Sequence, residues 1–189
     1  MGKGGKGKRA EGVQVAALPY RRLVDGSLQI MLITSRDTGR WVIPKGWPMK
    51  GRTHAEAAAQ EAWEEAGLRG RISQEPLGVY GYVKRRKNGR LQQVTVSVFP
   101  LLVRSQDDDW PEKDQRVCVW RAQDEAAALV AEAELAEIMQ TLDERLLGAL
   151  PRSRPRPEAP LLDPGHGLAG FRRSAVLAGV SRLPPQDKD

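Results

Sequence analysis

Residues 46–68, GWPMKGRTHAEAAAQEAWEEAGL, end in a dense set of carboxylates, Glu61, Glu64 and Glu65, followed by Gly67. At helical pitch the three glutamates fall at i, i+3 and i+4 and share one face. Like charges on one patch repel, so a helix gains from this arrangement only when a cation or a basic partner neutralises it. Hard oxygen donors grouped in this way suit Mg2+ or Mn2+.

The same stretch carries its own helix signals. Thr53, with Glu56 three residues later, forms a capping box in which each side chain satisfies a free backbone N–H near the other. Ala55, Ala58, Ala59, Ala62 and Ala66 make a stripe expected opposite the glutamates, small enough to lie close against a sheet. Gly67 suits the left-handed residue that ends a helix. Upstream, Pro44, Gly46, Pro48 and Gly51 forbid regular structure, so the helix is entered from a tight loop carrying Lys45 and Lys50. An arbitrary acidic helix is most often a solvated face. Here loop, cap, spacing and glycine stop coincide, which argues for a preformed metal and phosphate site.

On either side of this core the pattern is that of strands. Residues 13–20 and 28–35 are apolar runs about Asp25-Gly26, a turn pair, and predict a hairpin or two neighbouring strands. Residues 41–43 form a short strand before the loop. Beyond the helix, residues 79–83 and 94–103 flank KRRKNGR, where Asn88-Gly89 is a strong turn signal. Val94, Val96 and Val98 alternate with Thr95 and Ser97, the period of a half-buried strand. Residues 117–120 read as the last strand, and residues 123–148 as a long helical pattern rich in alanine and leucine. Strands, helix, strands, helix predicts an α/β fold with a mixed sheet between helices.

Composition narrows the chemistry. The 189 residues suffice for one core, and their formal charge of +6 is concentrated at the ends. Residues 1–10 carry four basic and no acidic side chains and residues 151–189 seven basic and four acidic, which leaves the middle near neutrality. Nucleic acid is therefore not the expected partner. MGKGGKGKR has no apolar run, so it predicts neither a secretory signal nor a membrane span. Residues 1–11 read as a flexible basic tail, 12–148 as the domain, and 149–189, opening PRSRPRPEAP, as a largely disordered Pro/Arg-rich tail. One cysteine, Cys118, excludes an internal disulfide and makes the cytoplasm the simplest compartment. With only His54 and His166 beside it, zinc-ligand spacing and a cysteine–histidine nucleophile are both excluded.

Residues 46–68 resemble the Nudix box. Gly46, Glu61, Ala62, Glu64, Glu65, Gly67 and Leu68 match its register. Arg52 and Gln60 depart from it, standing where the family has a mutually supporting glutamate and arginine. Arg52 is open to pairing with Glu56 or to reaching a substrate phosphate. The resemblance covers roughly residues 12–145 and implies the Nudix alpha/beta/alpha sandwich. It also implies that Glu61 and Glu65 bind the metal with the backbone carbonyl of Lys45, and that Glu64 is the general base or holds the attacking water on a second metal. Metal and carboxylate together suit phosphoanhydride hydrolysis without a protein nucleophile.

Within that family, TSRDTGRWVIPKG and DDDWPEKDQRVCVW are similar to the diphosphoinositol polyphosphate phosphohydrolase branch and its bacterial relatives. That similarity implies phosphate binding by Thr34, Ser35 and Arg36, with Lys45, and by basic residues beyond the box, among them Arg85, Arg86 and Lys87. A small polyphosphorylated molecule is the expected partner, since a multiply charged substrate needs cations around the metal. The PKG run overlaps with diadenosine polyphosphate hydrolases, so both substrate types stay open. So does a Nudix-fold sensor with weak or lost catalysis, which the altered pair motivates.

Overall fold

The fold is taken from a computed structural model, which describes residues 11–86 and 88–148. The expectations for the two tails and for Lys87 therefore lie outside the described residues, except that Glu11 opens the first strand. Strand β1 (Glu11–Arg22) is the axis of the sheet. It runs parallel to the long strand β7 (Leu91–Gln106), in register from Glu11 opposite Gln93 to Tyr20 opposite Leu102. Its other edge is shared by β4 (Lys45–Gly46) and β2 (Leu28–Thr34), both antiparallel. The far edge of β7 takes β6 (Gly78–Arg85) and β5 (Leu68–Ile72). β2 in turn pairs with β3 (Trp41–Val42) and β8 (Cys118–Ala122). One parallel pair among antiparallel ones makes the sheet mixed, as expected.

Strand alternation divides the core into two layers. Ala16, Leu18, Ile30, Leu32, Val94, Val96 and Val98 face one side, where Ala126, Leu135, Ile138, Met139 and Leu142 cover them. Val15, Ala17, Met31, Ile33, Phe99 and Leu101 face the other, covered by Ala55, Ala57, Ala58, Ala62 and Ala66 of α1 (His54–Ala66). Alanine on α1 lets the helix backbone approach the sheet closely. The result is a sheet between helical layers.

Four expectations need correction. The loop of residues 44–51 is not free of regular structure, since Lys45 and Gly46 pair with β1 as β4. The long helical pattern of residues 123–148 is three helices, α2 (Gln123–Leu129), α3 (Ala133–Gln140) and α4 (Leu142–Gly148). Val130 and Glu132 are extended, and Arg40 forms an ion pair with Glu132 at 3.1 Å beside the break. Strand β5 was not expected, because LRGRI has two apolar residues around Gly70 and reads as loop. Finally, the buried face of α1 includes Ala57 rather than Ala59, and it also includes Glu65. The glutamates therefore border the sheet instead of lying opposite it.

Candidate active site

The site forms where β4 meets α1. Lys45 and Gly46 pair with Ala16 and Val15 of β1, and Ala17 N–H donates to the Pro44 carbonyl at 3.0 Å. This fixes Gly46 under α1, where a β-carbon would lie 1.9 Å from Glu61 Oε1. Only glycine leaves room for that carboxylate. The capping box starts α1 as expected: Glu56 N–H donates to Thr53 Oγ1 at 3.2 Å, and Thr53 N–H to Glu56 Oε2 at 2.7 Å. Gly67, at φ 68°, ends it and turns directly into β5.

The three glutamates are brought together but held differently. Glu65 is 7% exposed. Its Oε2 accepts from Lys45 N–H at 3.0 Å, and its Oε1 pairs with Arg116 Nη2. Glu64 Oε1 accepts from the Gln60 amide at 2.7 Å. Glu61 has no such partner among the described residues. Burial, followed by the charges of Glu65, Glu64 and Glu112, pushes its carboxyl up to about 7 against the pull of Arg116. Burial also raises Glu65, opposed by Arg116 and Lys45, and burial lowers the Lys45 ammonium, opposed by Glu65.

Arg116 is the residue that sequence reasoning missed. Its guanidinium, nearly buried, donates to Glu112 Oε2 at 2.7 Å and to the Thr34 carbonyl at 2.9 Å besides pairing with Glu65. Glu112, a candidate for a metal ligand outside the box, pairs instead through Oε1 with Arg36 at 3.0 Å. Its backbone N–H donates to the Glu64 carbonyl at 3.0 Å, which docks the loop before β8 onto α1. An arginine preceding a strand gave no sequence signal, because the acid it meets lies on a different element.

The remaining expected residues separate into two groups. Thr34 and Ser35 are engaged locally: Thr34 Oγ1 accepts from Val117 N–H at 3.0 Å, and the Ser35 hydroxyl lies 2.5 Å from that of Thr38. Arg36 is exposed and turned toward Glu112 and Gln115. Arg85 and Arg86 are exposed at the β6–β7 hairpin, where Arg86 Nε donates to Gln92 at 2.8 Å. Lys87 is outside the described residues. Trp47, 43% exposed, follows Gly46 directly, with Lys84 Nζ 5.7 Å from its ring centroid. Arg52 is exposed and Glu56 is committed to Thr53, while Gln60 holds Glu64.

A family model described as the NUDIX domain matches residues 14–144. The chain belongs to the Nudix family. Nudix hydrolase 18, mitochondrial, of Arabidopsis thaliana is 29% identical over 138 residues, covering 70% of this chain and 76% of its own length. Nudix hydrolase 12, mitochondrial, of the same plant is 32% identical over 130 residues, 64% of this chain and 63% of its own. Among solved structures, a binary complex of C. elegans Ap4A hydrolase has a TM-score of 0.54 at 20% identity, over 72% of this chain and 98% of the other. The NUDIX domain of Shewanella oneidensis NrtR complexed with ADP ribose has a TM-score of 0.54 at 16% identity, over 73% and 90%. These structural likenesses are likenesses of fold.

The Nudix family uses divalent cations, and the donor chemistry here fits one. Glu61 is desolvated among like charges, which is the electrostatic situation a hard cation relieves. The cage is not closed: among the described residues no three acidic, histidine or cysteine side chains converge as a ready ligand set. The reason is visible in the partners, since Glu65 is turned onto Arg116 and Glu64 onto Gln60.

Proposed function

We propose that this Nudix phosphoanhydride hydrolase depends on Mg2+, with Mn2+ as a substitute, and cleaves a small multi-phosphate substrate of the diphosphoinositol polyphosphate or diadenosine polyphosphate type. The observation that carries the proposal is Glu61, seated against Gly46 with Glu64, Glu65 and Glu112 around it. Glu61, Glu65 and the Lys45 carbonyl would hold the metal. When bound, the cation supplies charge neutralisation of the phosphates and a more acidic water. Glu64 takes the proton from the attacking water, with the Gln60 amide fixing one of its oxygens. Arg36, Lys45, Arg85, Arg86 and Lys87, with Thr34 and Ser35 shaping the turn, form the cationic surround for the phosphate chain. A reducing compartment such as the cytoplasm is the proposed location, supported by the single Cys118. No helix among the described residues is long and apolar enough to cross a membrane.

A second reading, a Nudix-fold sensor, is favoured by one observation. Arg116 already neutralises Glu65, so the cluster can rest without a metal. A panel of inositol pyrophosphates, diadenosine polyphosphates, nucleoside triphosphates, nucleotide sugars and inorganic polyphosphate, with products identified, separates the two. Release of phosphate or nucleotide from at least one compound is expected. Tight binding with no turnover across the panel would replace the hydrolase by the sensor.

A further inference from the structure

One edge of β6 is taken by β7, and among the described residues no strand pairs with the other. In an antiparallel ladder alternate residues turn their N–H and C=O to one neighbour, and the residues between turn theirs to the opposite side. Arg86 N–H donates to the Arg90 carbonyl at 2.9 Å, and the Val98 carbonyl, opposite Gly78, accepts from Leu77 N–H at 2.8 Å. Even-numbered positions therefore bond β6 to β7, and Val79, Gly81 and Val83 turn their backbone groups to the open edge. The edge is closed at its start, where Arg145 Nη1 donates to the Leu77 carbonyl at 2.9 Å. We propose that the open stretch pairs with the same stretch of a second copy of this chain, antiparallel about a two-fold axis at Gly81, giving a homodimer whose sheet runs through both subunits.

The sequence of this edge is complementary to itself. With the axis at Gly81, Val79 lies opposite the partner's Val83, and Gly81 opposite the partner's Gly81. Each opposed pair of this kind exchanges two N–H···O bonds, so the backbone groups left open by β7 are all satisfied. Val79 and Val83 are 56% and 53% exposed, on a sheet face that the buried residues of α1 do not reach. Pairing sets these β-branched side chains against each other, and Tyr80 against the partner's Tyr82 on the other face. Residues 79–83 also lack the charge, proline or bulge by which a strand edge ordinarily resists pairing. Charge favours the same register. The arginines at the end of β6, Arg85 and Arg86, come to lie beyond the partner's Leu77, next to its exposed Glu75, and far from the partner's own arginines. A paired stretch of five residues, about 17 Å long, is short, so a reversible dimer with a micromolar dissociation constant is expected.

Sedimentation velocity of the full chain, from low micromolar to submillimolar concentration, combined with backbone amide exchange, provides the test. A monomer–dimer equilibrium is expected, with exchange at Val79, Gly81 and Val83 slowing as the dimer fills. Gly81→Pro removes an N–H directed to the open edge and no bond to β7, and should weaken the dimer about tenfold or more. Val83→Lys, at an exposed position, should weaken it similarly. A monomer at every concentration would overturn the proposal, as would a dimer equally tight in both variants or one that forms without protecting the three amides. If Gly81→Pro does not fold, Val83→Lys and the exchange of the unmodified protein decide.

Discussion

A methyl group on Gly46 would lie 1.9 Å from Glu61 Oε1, and the antiparallel pairing with Val15 keeps the backbone from yielding. Gly46→Ala must therefore displace the carboxylate. Misplacement of a reacting group by about 1 Å costs on the order of 100-fold in rate. Steady-state kinetics should show that loss in kcat, with the far-UV spectrum unchanged; full activity would mean that Glu61 is not positioned by Gly46. Arg116 poses the complementary question. Its side chain and that of Glu65 are 6% and 10% exposed, and removing one partner of such a pair costs about 3–5 kcal/mol by stranding the other. Arg116→Met should melt at a lower temperature than the unmodified chain. Added Mg2+ should then raise its melting temperature more than that of the parent, because the cation replaces a lost charge beside Glu65. Equal Mg2+ shifts in the two proteins would contradict this.

At the scale of elements, α1 was readable because its signals are local: capping box, alanine face and glycine stop all lie within one stretch. Gly67 carries the last of these at φ 68°, and a β-carbon there would lie 2.5 Å from the Trp110 ring. An L-residue in that conformation costs about 1–2 kcal/mol before the clash is counted. Gly67→Ala is expected to lower the melting temperature and to loosen the segment bearing Trp110 and Glu112, seen as faster amide exchange at Glu112. Protection equal to that of the parent would show that the cap does not support the segment. Elements set by tertiary pairing were less legible. LRGRI becomes β5 only because the edge of β7 is open to it, with a register shift between Arg69 and Gly70. The 123–148 pattern has helical composition throughout, and at its break, Val130 to Glu132, the chain meets Arg40, which is distant in sequence.

Across the whole molecule, the sheet brings the site together from segments far apart in sequence. β1 supplies the edge that positions Lys45 and Gly46, α1 the glutamates, and the segment before β8 contributes Glu112 and Arg116. The mixed sheet between helices and the clustering of Glu61, Glu64 and Glu65 could be read from the chain, since strand alternation and helix pitch are short-range properties. The guanidinium within the cluster could not, because it arrives only once distant segments pack. Lys84 against Trp47 belongs to the same class. How the assembled site acts is tested by single-turnover hydrolysis of a compound selected from the substrate panel. The assay compares unmodified protein with Glu64→Gln, each with Mg2+ and after chelation. Turnover that stops on chelation and falls about 100- to 10,000-fold in Glu64→Gln is the predicted result. Turnover equal in the variant, or undiminished without the metal, would contradict it.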